Sequence, residues 1–105
     1  MEKTRIAVVS SDGVAVDEHF GKADHFLIFD VDETLRLVEK RTIEPLSVGD
    51  PNHPFDTQKF DRISSRLKDC SKVYMTRIGE TPAAKLKAMN IEPVIYTGAI
   101  ADIIG

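Results

Sequence analysis

Short apolar runs punctuate the chain, each too brief for a helix and each closed by turn-forming residues. Ile6-Ala7-Val8-Val9 stops at Ser10-Ser11-Asp12-Gly13, and Phe26-Leu27-Ile28-Phe29 stops at Asp30-Val31-Asp32-Glu33. Val73-Tyr74-Met75 and Val94-Ile95-Tyr96 repeat the pattern later. Runs of this kind, apolar without alternation, belong to strands buried on both faces. Residues 35–43 alternate loosely, with charges at Arg36, Glu39 and Arg41, which predicts a strand nearer an edge. The short Asp32-Glu33-Thr34 link makes that strand and its predecessor an antiparallel hairpin.

Helical spacing enters in the second half. Phe60, Ile63 and Leu67 recur at three- and four-residue intervals, leaving Lys59, Arg62, Arg66 and Lys68 for water. Thr81-Pro82 predicts a second helix, with the threonine as cap and the proline in the first helical position, ending near Asn90. Residues 99–104 read as a last helical turn. Between the hairpin and the first helix, Pro45, Gly49, Asp50, Pro51, Asn52 and Pro54 predict a loop over residues 45–57. The expected architecture is one α/β domain over residues 1–105. Its mixed sheet has about five strands, with helices on its faces and an antiparallel hairpin flanking three parallel strands.

That order sorts the polar residues by edge. With the first strand running upward, the top edge collects Ser11, His19, His53, Arg77 and the start of the Thr81 helix. Open α/β sheets gather ligands there, beyond the carboxyl ends of parallel strands. Cys70 falls on the opposite edge.

Composition narrows the classes of function. The chain has 105 residues, 42% hydrophobic and 30% charged, the balance of a folded globular domain. A net charge of −3 gives no basic face for nucleic acid. One cysteine excludes an internal disulfide and a four-cysteine zinc site. The apolar segment after Arg5 is too short for a signal peptide, and no run has membrane-spanning length, so a reducing cytoplasm is the expected setting.

Several segments suggest chemistry. Asp30-Val31-Asp32-Glu33-Thr34 is similar to the nucleophile motif of haloacid-dehalogenase-type phosphatases. It leads into a hairpin instead of a helix and has no downstream paired carboxylates, so it reads as a polar turn. Ser10-Ser11-Asp12-Gly13 is explained as a turn after a buried strand. His25 starts a strand, His53 sits in a polar loop with no ligand partner at a fixed spacing, and Cys70 reads as a small buried hydrophobe. His19-Phe20-Gly21-Lys22 is stronger, because a glycine free to adopt unusual angles would leave the imidazole open in a loop. Arg77 and the Gly79–Thr81 amides at a helix start favour an anion.

The segments Ile6 to Gly13, Val16-Asp-Glu-His-Phe-Gly-Lys-Ala23 and Phe26 to Val31 together resemble the dinitrogenase iron–molybdenum cofactor-binding family. Leu67-Lys-Asp-Cys70, Arg77-Ile-Gly79 and Asn90-Ile91-Glu-Pro93 agree with it. The resemblance implies a ribonuclease-H-like fold and non-catalytic binding of an iron–sulfur or iron–molybdenum–sulfur cluster in transit between donor and acceptor proteins. It makes His19 the leading metal ligand, with Ser11, Phe20, Gly21, Arg77 and Gly79 around the cargo. No nucleic acid or membrane is expected as partner, and the chain is expected as a monomer or weak homodimer. Two other readings are a partner-binding accessory module without metal and a magnesium-dependent hydrolase on the same scaffold, using Asp12 and Asp30.

Overall fold

A computed structural model of the protein describes residues 4–43 and 57–103. Strand β1 (Thr4–Val8) lies at the centre of a five-stranded sheet. Beside it on one side is β3 (His25–Val31), antiparallel, and beyond that the edge strand β4 (Leu35–Thr42), antiparallel again. On the other side β5 (Lys72–Met75) and then β6 (Glu92–Ile95) run parallel to β1. The expected hairpin flank and three parallel strands are therefore present, in the order β4-β3-β1-β5-β6. Val31 pairs with Leu35 at the hairpin end, and the Asp32 carboxylate accepts the Thr34 N–H at 2.9 Å. That backbone hydrogen bond holds the Asp32 carboxyl below its ordinary range. The phosphatase-like segment is thus a closed polar turn.

Alternation along β1 divides the interior. Ala7 and Val9 join Phe26, Ile28, Phe60, Ile63, Leu67 and Leu86 on one face, whereas Ile6 and Val8 join Leu27, Phe29, Val16 and Ile100 on the other. Helices α1 (Thr57–Ser65) and α2 (Glu80–Ala88) both contribute to the first cluster. Both α-helices thus cover the same face of the sheet, and of the expected helical segments only the last short turn lies on the other. Helix α1 carries the chain from β4 to β5 and α2 from β5 to β6; both parallel crossovers step the same way across the sheet, so one handedness places both helices on one side. The second face is closed by a two-stranded ribbon that the sequence did not announce, β2 (Ala15–Val16) with β7 (Gly98–Ala99), and by the 3₁₀ turn Ile100–Asp102. Two-residue strands are too short to leave a period.

The start of α2 also differs from expectation. Its cap is Gly79, with extended backbone and no side-chain cap bond, and Ala83 N–H reaches the Gly79 carbonyl at 3.1 Å. Thr81 and Pro82 lie inside the first turn. Proline is tolerated there because N–H groups of that turn have no acceptor within the helix. The helix stops as predicted near Asn90, which takes φ 63° while Asn90 N–H bonds Lys87 and Ile91 N–H bonds Leu86. The loop containing His53 lies outside the described residues, apart from the opening of α1. Among the described residues, no helix is long and apolar enough to cross a membrane.

Candidate functional site

The top edge begins where β1 gives out. Val9 N–H makes a last bond to Tyr74 O at 2.9 Å, and the chain then turns sharply. Gly13 sits at φ 78°, a conformation costly for residues with a Cβ. The Asp12 carboxylate accepts the N–H groups of Val14 and Ala15, which hold its pKa down, and Ser10 Oγ accepts the Gly13 N–H at 2.9 Å. Ser11 donates both its N–H and its hydroxyl to Asp17. The predicted contact residue Ser11 is therefore a brace that closes the loop, exposed at its rim.

Residues 18–20 then run alongside the chain leaving β5. Thr76 N–H donates to Glu18 O at 3.0 Å, Phe20 N–H donates to Arg77 O at 2.8 Å, and His19 and Arg77 form a parallel bridge. Two of the predicted residues are thus backbone neighbours despite a long separation in sequence. His19 is half-buried and Arg77 exposed. Two residues on, Gly79 caps α2, bringing the helix start to the same edge. Only the Glu80 and Thr81 amides face outward there without an acceptor in the helix, because Pro82 has no N–H and Ala83 is bonded. Glu80 adds a carboxylate to that first turn.

Phe20 is wholly buried, with its ring centroid 5.7 Å from that of Phe26 and 6.3 Å from that of Phe60. Its ring anchors the segment in the core and holds His19 in place from behind. Gly21 lies in the 3₁₀ turn Phe20–Lys22 and has no positive φ, so the unusual backbone angle expected for it is not used. The turn is closed instead by Lys22 N–H to His19 O at 3.1 Å and Ala23 N–H to Phe20 O at 3.3 Å.

Cys70 occupies the opposite edge, as the strand order required. Its neighbour Ser71 donates N–H to Arg5 O at 2.8 Å, near the start of β1. Burial pushes the Cys70 thiol up to about 12, so it stays protonated at neutral pH. Among the described residues, no group of three or more His, Cys, Asp or Glu side chains is placed to hold a metal ion. What this part of the top edge offers is His19 next to Arg77 along paired backbone, in an open site.

A cleft of about 180 Å³ lies next to this bridge, lined by Ser10, Ser11, Glu18, Lys22, Asp24 and His25 among others. His25 Nδ1 donates to Asp24 Oδ1 at 2.6 Å. Sequence reasoning set His25 aside as the start of a strand. The only available signal was the adjacent Asp24-His25 pair.

The profile of the dinitrogenase iron-molybdenum cofactor family matches residues 2–105. The chain belongs to this family. FeMo cofactor biosynthesis protein NifB of Chlorobaculum tepidum is 31% identical over 100 residues, covering 92% of this chain and 22% of that protein. Protein NifX of Sinorhizobium fredii is 30% identical over 94 residues, covering 86% of this chain and 58% of that protein. The chain thus spans about a fifth of the NifB relative and under two thirds of the NifX one. Among solved structures, PH0822 superposes with a TM-score of 0.64 at 20% identity, covering 96% of this chain and 86% of that one. A putative NifB protein from Thermotoga gives 0.54 at 19% identity, covering 91% and 78%. Likeness at such identity establishes a shared α/β fold.

Proposed function

We propose that this protein binds an iron–sulfur or iron–molybdenum–sulfur cluster and carries it between assembly proteins without transforming it. The single observation behind this reading is the bridge that sets His19 beside Arg77 at the carboxyl ends of the parallel strands, in a family whose relatives include NifB and NifX proteins. The imidazole of His19 would supply one metal ligand, and Arg77 would oppose the negative charge of a sulfide-rich cargo. Ser11, Gly21 and Gly79 form the surrounding rim, and Phe20 fixes the height of His19. A single protein ligand suits hand-over, since the remaining coordination can pass to a donor or acceptor protein.

The strand order, with only β3 reversed, supports a ribonuclease-H-like assignment of the fold. A non-catalytic role is supported by the engagement of both carboxylates a hydrolase would use. Asp12 closes its own turn, and Asp30 is held by Arg5 on β1. We place the protein in the reducing cytoplasm, as a monomer or weak homodimer.

The test is anaerobic incubation with a preformed [4Fe–4S] or iron–molybdenum–sulfur cluster, followed by gel filtration with iron and sulfide analysis. The wild type should retain both. His19→Ala should lose about tenfold or more in affinity, and Arg77→Ala a smaller amount that grows at low ionic strength. Unchanged retention in His19→Ala would remove the histidine from the site. A wild type that takes up no cluster while forming a stable protein complex would favour the metal-free accessory module.

A further inference from the structure

The two flanks of α1 differ in charge. Phe60, Ile63 and Leu67 enter the core, while Lys59, Arg62 and Arg66, spaced by three and four residues, fall together along one flank of the helix and the turn that closes it. Asp61 lies about 200° round the helix from Lys59, on the other flank. The cationic flank borders the end of β4 across a groove of about 280 Å³, lined by Thr42, Ile43, Lys59, Arg62, Ile63 and Arg66. No carboxylate belongs to this described lining, and its two isoleucines give it an apolar floor.

Neighbouring groups hold the groove in shape and preserve its charge. Arg41 Nη1 donates to the Arg66 carbonyl at 2.6 Å, which ties β4 to the last turn of α1. Thr42 pairs with His25, and Ile43 N–H donates to Asp24 O at 2.9 Å, so the chain leaving β4 is fixed in register. The carboxylates around Arg41 are engaged by it and by Arg5: Asp69 accepts from both, and Glu39 from Arg41. Lys59 and Arg62 also interact within the chain. An ammonium has three donors and a guanidinium five, which leaves capacity for a further carboxylate. Arg62 and Arg66 are exposed, Ile43 is half-buried and Ile63 buried.

We propose that this groove docks an acidic segment of a partner protein, with one apolar side chain against Ile43 and Ile63 and flanking carboxylates on Lys59, Arg62 and Arg66. Charge complementarity selects the occupant. The chain carries a net −3, so a basic flank set on it attracts negative segments, and the overall charge disfavours a second copy. Expelling water from the isoleucine floor supplies the apolar share of binding, and the cations supply orientation and association rate. Three cations within about two helical turns meet too few phosphates to hold nucleic acid. The groove uses neither His19 nor Arg77, so docking is independent of cluster carriage.

A short fluorescent peptide with glutamates on both sides of one leucine tests it, by anisotropy and by amide NMR of the whole protein. The wild type should bind the peptide, with amide shifts centred on Ile43, Arg62, Ile63 and Arg66. Arg62→Glu combined with Arg66→Glu turns attraction into repulsion and should weaken binding about tenfold or more. Replacing the peptide's leucine by serine should weaken it severalfold, as should raising salt from about 0.05 M to about 0.2 M. His19→Ala should leave it unchanged. An unbound peptide, equal affinity in the charge-reversed variant, or shifts centred elsewhere would overturn the proposal. So would equal competition by single-stranded RNA, a dimer that the same double variant dissociates, or nuclear Overhauser contacts placing residues 44–56 of the free chain in the groove. Should the double variant fail to fold, the wild-type shift map decides between the groove and any other surface.

Discussion

Phe20 and His19 are adjacent in sequence and opposite in role, and the boundary between core and site passes between them. Phe20→Ala empties a fully buried position between Phe26 and Phe60, so it should cost about 3–5 kcal/mol in urea unfolding. Phe20→Leu should recover much of that stability, and with it any property that depends on the position of His19. Cys70 makes the converse point. Its thiol, raised to about 12 by burial, should resist iodoacetamide at about pH 8 in the folded protein and react promptly once unfolded. Rapid labelling of the native chain would place it at the surface. At this scale the sequence conveyed which edge each candidate occupies, because strand direction alone determines that. It did not convey that Ser11 is tied to Asp17 or that His25 is aimed by Asp24, since both depend on side-chain directions that no periodicity encodes.

Strand and helix identities were legible because buried strands leave apolar runs and α1 leaves an apolar stripe. Ends and covers were less so. The beginning of α2 was read from Thr81-Pro82, yet the helix opens at Glu80, since proline fits anywhere in a first turn whose amides are unpaired. Its far end was clearer, and it carries a test. Asn90 holds a left-handed conformation that lets Ile91 N–H reach Leu86 O at 2.9 Å. Asn90→Ala should therefore lower stability by about 1 kcal/mol, and Asn90→Gly should be neutral or slightly stabilising, both read from urea midpoints. Equal stability of the alanine variant would show that the left-handed cap contributes nothing. The β2–β7 ribbon could not be foreseen, because it consists of two residues on each side brought together from distant parts of the chain.

Charges tie the elements into one body away from the site. Arg5 on β1 donates to Asp30 on β3 at 2.8 Å and to Asp69 after α1 at 2.9 Å, and Arg41 on β4 grips the same Asp69 through two nitrogens, at 2.7 and 2.8 Å. The Arg41 hydrogen bonds, helped by Arg5, hold the Asp69 carboxyl well below its ordinary range. A carboxyl depressed in the folded state stabilises the fold above its unfolded pKa, near 3.9, and that contribution is lost as pH falls towards the folded value. Thermal midpoints should therefore fall below about pH 4, and Asp69→Asn should flatten this dependence while lowering the midpoint at neutral pH. An unaltered acid profile would show that solvent screens this half-exposed network.

The same frame leaves the top edge free to present His19, and that placement is the claim on which carriage rests. Pulsed EPR on protein loaded anaerobically with a reduced, paramagnetic [4Fe–4S] cluster examines it directly, with and without ¹⁵N-labelled histidine. The account predicts a ligating imidazole-nitrogen coupling in the wild type and in His25→Ala, absent from His19→Ala. A loaded wild type without that coupling, or a His19→Ala variant that keeps it, would contradict the account.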